Sequence, residues 1–552
     1  MVGKTDLGGY RSMDIEAPGE TYDAVIVGAG FSGLYMLHKL RGMGLSARIY
    51  EAGTGVGGTW YWNRYPGARV DIESQEYSYS FSPELDEEWI WSERYATQPE
   101  LLRYLNHVAD RFDLRADIQL QTRVAAAHFD EGSNRWAITT NRAETITARH
   151  CIMATGCLSV MNEPAFPGAD SFEGPSWHTG RWPREGVDFK GQRVAVIGTG
   201  SSAIQSIPHI AAEAAHVTIF QRTPNFSVPA HNGPIDPAVA KDWADNRAVR
   251  RAEARETGFG IRGVGQTERL AGEASADEQR AAYEERWAIG GFALLGAFAD
   301  ITADLSANQT AVDFVGSKIR SIVKDPVTAE KLTPRTFPIG SKRLCVDTGY
   351  YDTFNRDNVS LVDLVDEPIE AIVPTGVRTA SATYEADAIV YAIGFDAMTG
   401  ALGKIDIQGR GGATLRDAWA AGPRTYLGLM VAGFPNLFVV TGPGSPSVLC
   451  NMAVAIEQHV EWISDCIAWM GQRQLGTIEA TDAAQDEWVA HVNEVAEPTI
   501  FPLANSWYMG ANVPGKPRVF MPYIGGFPVY RDKCNEVAAN GYEGFTVSSD
   551  AR

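Results

Sequence analysis

The chain has 552 residues, about three to four domains' worth at roughly 150 residues each, with an ordinary globular balance of 45% hydrophobic and 21% charged residues. Its 48 Lys and Arg against 68 Asp and Glu leave a net charge of −20, which argues against a nucleic-acid partner held through its phosphates. Six cysteines without a CxxC pair, ten histidines without metal-ligand spacing, no run of ~18 apolar residues and no apolar leader point to a cytoplasmic protein with no metal and no membrane partner.

Residues 1–20 read as a loose polar tail. Tyr22–Val27 is then a short apolar run ending at Gly28, the pattern of a buried parallel strand. A helix over 31–42 and a strand over Ala47–Glu51 complete a βαβ unit. Between strand and helix stands Gly28-Ala29-Gly30-Phe31-Ser32-Gly33, a GxGxxG loop. Gly28 permits the tight turn, Gly30 a close backbone approach to a pyrophosphate, and Gly33 close helix packing, while the helix N-terminus offers its positive end. Glu51, 23 residues after Gly28, stands where an acid accepts from a ribose hydroxyl, which suits FAD. Residues 28–67 hold ten glycines, so backbone is expected to lie close over that cofactor.

The arrangement returns at Arg193–Gly198, with a helix over roughly 202–214 and a strand at Val217–Gln221. This loop is Gly198-Thr199-Gly200-Ser201-Ser202-Ala203, and no acid ends its next strand. Arg222 stands there instead, suited to a 2′-phosphate and hence to NADP, or else a plain surface charge. Residues 236–332 turn rich in Ala, Arg and Glu and read as a helical insertion broken by one flexible loop at 258–266. Strands resume near Val359 and at Ala388–Ala392. A long helix is expected over 446–471, with Ser445 as N-cap and Pro446 at its first position. The fold class is therefore α/β, with two Rossmann-like dinucleotide-binding domains and a helical insertion.

Three stretches carry a family resemblance: the two dinucleotide loops; Phe172 to Pro183, with Phe172, Gly174, His178, Thr179, Trp182 and Pro183 in an FxGxxxHTxxWP pattern; and Gly57-Gly58-Thr59-Trp60, Tyr65-Pro66-Gly67 and Asp71. On these the chain resembles the type I Baeyer–Villiger monooxygenases over about 20–545. It looks closest to the branch of phenylacetone and steroid monooxygenases, at 422–429, 442–452 and 506–521. The resemblance implies oxidation of a ketone by NADPH and O2 to an ester or lactone through a flavin C4a-peroxide, with NADP+ retained during turnover. Sulfoxidation is a possible side activity.

It also implies site roles. Arg343 is the catalytic arginine and Asp71 the acid that orients it beside the flavin. FAD falls to Gly28, Gly30, Ser32, Gly33, Glu51, Gly58, Thr59, Trp60, Tyr61, Trp62, Asp71, Tyr77, Val124 and Met452. NADP falls to Arg69, Gly198, Thr199, Gly200, Ser201, Ser202, Gln205, Arg222, Thr223, Lys342 and Trp507. Ser447, Val448, Leu449 and Cys450 line the substrate pocket, compatible with a bulky aryl or polycyclic ketone. On residues alone, Lys342 and Arg343 are equally a solvated basic pair, Asp71 a turn residue, His178 a structural histidine, and Trp60 and Trp62 core aromatics.

The expected division is a tail (1–20), an FAD-binding domain (21–155 and 388–552), an NADP-binding domain (156–230 and 333–387) and the insertion (231–332). The crossings between the two domains are expected at Ala154-Thr155-Gly156 and Ala392-Ile393-Gly394, where Ile393 replaces the family's usual Thr and leaves one hinge hydrogen bond in doubt. A monomer or weak homo-oligomer is expected. Three other readings stay open: a flavin N- or S-oxygenase, a disulfide reductase on the same fold (ill served by Cys151 and Cys157), and a non-enzymatic flavin sensor.

Overall fold

The computed structural model of the chain describes residues 20–264 and 267–549. The tail expected over 1–20 lies outside the described residues except for Glu20, as do the last two residues of the 258–266 loop.

Two sheets organise the chain. In the first, Thr21–Val27 runs parallel to Ala47–Tyr50 on one side and to Thr145–Met153 on the other. The sheet continues through Arg135–Thr140 and Val124–Asp130 to Asp406–Gln408, and Leu437–Val439 joins alongside Thr145–Met153. Val25 and Ile26 are fully buried, as are Ile49, Cys151 and Ile152 opposite them, because helices cover the sheet and the side chains of a central parallel strand need apolar neighbours. The second sheet is wholly parallel, in the order Val359–Asp363, His216–Gln221, Arg193–Ile197, Ala388–Tyr391 and Ser176–His178. Ala388–Tyr391, assigned from sequence to the returning FAD segment, thus belongs to the second sheet, paired residue for residue with Val194–Ile197. The crossing back begins at Ala392.

The chain passes between the sheets twice, after Met153 and after Tyr391. Both passages press on a loop glycine. A Cβ on Gly28 (φ +107°) would stand 2.6 Å from the Ala154 carbonyl oxygen, and one on Gly198 (φ +111°) 2.4 Å from that of Ala392. Asn162 braces the second passage, its backbone N donating to the Gly394 carbonyl and its side chain to that of Ile393. Asn162 therefore holds the passage at Ile393 through the backbone carbonyls of Ile393 and Gly394.

The insertion carries helices at Pro237–Arg255, Ala276–Ile289, Leu305–Ile322 and Pro326–Leu332. Each starts on a side-chain cap: Asp236, Ser275 in a capping box with Glu278, Asp304 and Asp325. Tyr283, Phe298 and Phe314 share an apolar core with Val194 and Val196, so the insertion packs on the second sheet. The described part of the loop after the first helix is packed as well: Val264 is buried, and the Phe259 carbonyl accepts from Asn451 N at 2.8 Å.

The long helix begins later than expected, at Met452, and runs to Gln472. Ser445 does not cap it, because its hydroxyl donates to the Gly442 carbonyl at 2.7 Å. Ser447–Leu449 form a 3-10 turn with Ser447 at φ 42°, and Asn451 supplies the cap by accepting from Ala453 N. Met452 is therefore the first helical residue rather than one to two turns in. Among the described residues no helix is long and apolar enough to cross a membrane.

Candidate active site

Each dinucleotide loop ends on an open helix N-terminus. The helices Phe31–Gly42 and Ser201–Glu213 start at Gly30 and Gly200 with no side-chain cap and no acid in the first turn. Their first N–H groups therefore suit an anion, as a pyrophosphate requires. A Cβ on Gly200 would meet nothing within 4 Å, so that loop has room above it. Over the first loop, Gly58 (φ +53°) closes on Gly30: a Cβ there would stand 2.8 Å from Gly30 Cα. Glu51 is buried and accepts from Ala29 N at 2.8 Å and Gly53 N at 2.6 Å. Burial pushes its carboxyl pKa up, while those two donors pull it down. The donor set fits the two dinucleotides: backbone N–H groups for phosphates, and an acid for one ribose.

Around the first loop, Trp60 is buried and its indole donates to Tyr77 Oη at 3.3 Å, whereas Trp62, packed edge-on against Tyr61, is 36% exposed. Trp60 is thus packed into the core and Trp62 is not. Ser32 is buried in the first turn of the helix, Thr59 opens the short helix Thr59–Trp62, and Val124 starts its strand buried. Around the second loop, Thr199 Oγ1 donates to the Thr223 carbonyl at 2.9 Å. Gln205 accepts from Tyr65 Oη and donates to the Arg69 carbonyl, and Arg69 pairs with Glu93 at 3.2 Å. Lys342 lies 4.1 Å from the Phe337 ring centroid. Burial and the nearby positive Arg222 lower its pKa, so two cations gather beside this loop.

The Phe172–Pro183 stretch touches the second loop, and the residue after it reaches the short helix beside the first. Thr179 Oγ1 lies 3.2 Å from Ser202 Oγ, while Arg184, just past Trp182-Pro183, stacks over the Tyr61 ring at 4.8 Å. Trp182 packs beside Trp177 and Phe189. His178 accepts from Gly180 N at 2.9 Å. Burial, then Arg181, lowers its pKa to about 4, which leaves it neutral near pH 7.

The central feature is Arg343. Nε and Nη2 donate to the two oxygens of Asp71, both at 2.8 Å, and Nη1 donates to the Val448 carbonyl at 2.7 Å. Phe292 of the insertion lies under the guanidinium at 4.8 Å. Burial works against the charge, but Asp71 and a hydrogen bond with Tyr508 outweigh it, so Arg343 is held more firmly protonated than usual. Arg343 and Asp71 form an ion pair that is only half-buried, their side chains 23% and 27% exposed. Ser447, Val448, Leu449 and Cys450 are all buried beside it. Trp507 precedes Tyr508 in a C-terminal loop pinned to the second passage by Asn512 Nδ2 on the Phe395 carbonyl and Lys516 Nζ on Asp396. Tyr508, Phe292 and Arg184 were not singled out from sequence, although Tyr508 adjoins Trp507 and Arg184 adjoins Pro183.

Among the described residues all six cysteines are free and buried. Burial alone raises the Cys151 pKa to about 12 and leads the rise of Cys157 to about 11, so neither is a reactive redox thiol.

The chain is similar to known proteins over most of its length. A family model described as pyridine nucleotide-disulphide oxidoreductase matches residues 25–245. A Baeyer–Villiger monooxygenase of Pseudooceanicola batsensis is 43% identical over 95% of this chain and 96% of its own. The phenazine N-monooxygenase PhzNO1 of Lysobacter antibioticus is 43% identical over 96% and 97%. Among solved structures, an oxidised steroid monooxygenase bound to NADP is 53% identical with TM-score 0.91, over 96% of this chain and 100% of that one. OTEMO in complex with FAD and NADP is 40% identical with TM-score 0.93, over the same shares.

Proposed function

The chain belongs to the Baeyer–Villiger monooxygenases, and we propose that it directs their FAD- and NADPH-dependent oxidation of ketones at bulky aryl or polycyclic substrates, with Arg343 as its catalytic cation. The overall reaction takes ketone, O2, NADPH and a proton to ester or lactone, NADP+ and water. The flavin, when bound, supplies the electron transfer and oxygen activation that no side chain provides.

The side chains have the remaining tasks. Arg343 offers a permanent positive charge to the oxygen that becomes anionic as the carbonyl is attacked, in a site where burial strengthens every electrostatic interaction. Asp71 fixes its plane by the two-point ion pair. The Val448 carbonyl ties the same guanidinium to the wall formed by Ser447–Cys450. Lys342 and Arg222 neutralise the 2′-phosphate, and Trp507 covers the retained NADP+ ribose, so that water is kept from the reacting centre. The first sheet's loop holds FAD, with Glu51 on its ribose, and the second sheet's loop holds NADP.

The single observation behind this reading is the half-buried Arg343–Asp71 pair bonded to the Val448 carbonyl. Support for a bulky substrate comes from the 53% identity to a steroid monooxygenase. A panel of ketones scored by product, including phenylacetone and a 20-ketosteroid, tests it. Turnover confined to small cyclic ketones would refute the substrate class. A second reading, N- or S-oxygenation, is favoured by the 43% identity to a phenazine N-monooxygenase. Amine or sulfide oxides formed with no ester from any ketone would establish it, whereas sulfoxide beside ester would mark a side activity.

A further inference from the structure

The first insertion helix, Pro237–Arg255, and the loop after it carry arginines that the active site does not use. Arg251 Nε donates to Asp86 at 2.8 Å and its Nη2 to Ser78 Oγ at 2.9 Å. Arg255 Nη2 donates to Glu457 and to Ser80 Oγ, both at 2.9 Å. Arg262 Nε donates to Glu76 at 2.8 Å. The acceptors are unusual: the side chains of Glu457, Glu76 and Asp86 are only 2%, 6% and 7% exposed. Glu457 also accepts from Ser80 N and Phe81 N. A carboxylate this deep is retained only when paired and fully hydrogen-bonded.

These contacts converge on one short segment. Glu457 lies on the helix that starts at Met452. Asn451, the cap of that helix, donates through Nδ2 to the Glu76 carbonyl and through its backbone N to the Phe259 carbonyl, both at 2.8 Å. Gly260 (φ +64°) passes so close that a Cβ there would stand 2.7 Å from Cys450 Sγ. The insertion thus packs on the second sheet through its apolar core, on Glu76, Asp86 and Glu457 of the first domain through its arginines, and on Cys450 and Asn451 through Gly260 and the Phe259 carbonyl.

We propose that Arg251, Arg255 and Arg262 are positioning residues: through Asp86, Glu457 and Glu76 they hold the insertion against Asn451 and so fix the wall segment that carries the Val448 carbonyl bonded to Arg343. This rests on reading Ser447–Cys450 as the ketone's wall. When the wall is placed, NADPH, O2, a proton and ketone give ester, NADP+ and water. When it is displaced, the same NADPH, O2 and proton give NADP+ and H2O2, with the ketone untouched. The latch therefore governs the division of reducing equivalents between the two products, not the rate at which NADPH delivers them.

The test uses the holoenzyme. Arg255→Met alone leaves the buried Glu457 charge unpaired and threatens the fold, so the informative variant is Arg255→Met with Glu457→Gln, and Arg255→Lys is the conservative control. The expected result for the double variant is about fivefold more H2O2 per NADPH, well short of the roughly hundredfold cost of misplacing a reacting group by 1 Å. Anaerobic flavin reduction should stay near wild type, amide exchange at Asn451 should be faster, and the Lys variant should be partly restored. An unchanged ester-to-peroxide ratio overturns the proposal. So does a fall in flavin reduction parallel to the fall in ester, which would mark general damage. Leu449→Ala tests the wall reading separately: an unchanged preference between a small and a polycyclic ketone would sink that reading whatever the latch variants do.

Discussion

At the scale of single residues, chemistry concentrates on Arg343 and Lys342, which differ in how firmly each holds its proton. Arg343 is fixed in the charged state by Asp71 and Tyr508. Arg343→Ala should keep anaerobic flavin reduction by NADPH and lose ester formation by about 10²–10³-fold, the usual cost of one oxyanion donor; wild-type-like ester turnover would remove Arg343 from the role. Lys342 is destabilised as a cation by burial and Arg222. Phosphate binding needs its charged form, so the KM for NADPH should rise as pH climbs through the depressed pKa. In Lys342→Arg the rise should be delayed, since guanidinium stays protonated. Steady-state KM profiles of both proteins check this. Arg343 was found in the sequence only with the help of a family pattern. Its partners are separated from it by 272 and 105 positions, and no local periodicity reports such distances.

At the scale of elements, the dinucleotide loops were legible because glycine leaves a geometric demand in the sequence itself. The two positions tested next make different demands. Gly28 has a positive φ and a carbonyl at 2.6 Å from any Cβ, whereas Gly200 has ordinary backbone and open space. Gly28→Ala should therefore give protein that purifies with little FAD and unfolds earlier. Gly200→Ala should fold, keep its FAD and show a raised KM for NADPH, because the methyl takes the pyrophosphate's approach. Flavin absorbance of the purified variants with an NADPH titration decides; full FAD in the Gly28 variant would contradict the loop reading. The long helix was less legible. Ser445-Pro446 has the composition of a helix start, but Thr425, Gly428 and Gly442 crowd the preceding turn. The chain spends a 3-10 turn with Ser447 at φ 42° before Asn451 can cap. The arginines at 251, 255 and 262, legible only as polar helix faces, meet carboxylates more than 160 positions away.

At the scale of the whole molecule, the buried histidines set an acid limit. Burial, aided at His150 by Arg149 and at His178 by Arg181, lowers His150 and His459 to about 3 and His178 to about 4. All three are neutral in the fold and charge on unfolding below the ordinary histidine value of about 6.5. Their contribution is therefore complete above that pH and is lost as pH falls from about 6.5 towards 4, at about 1.4 kcal/mol per unit and group. His459→Gln should flatten the fall of melting temperature over that range; an equally steep fall would show that His459 takes up no proton on unfolding. The net charge of −20 was readable at once and needs no fold. Which strand belongs to which sheet did need one, because Ala388–Tyr391 is apolar in either assignment.

The two passages of chain between the sheets give the molecule a mechanical character. Two covalent pins by themselves would leave two bodies free to rotate about the line through both, and here the insertion's arginines and the C-terminal loop tie the same halves together as well. Each pin bears on the first glycine of its own dinucleotide loop, through the carbonyls of Ala154 and Ala392. Any swing of one half against the other is thus felt at both cofactor cradles together, as a door's two hinges share every movement of the leaf.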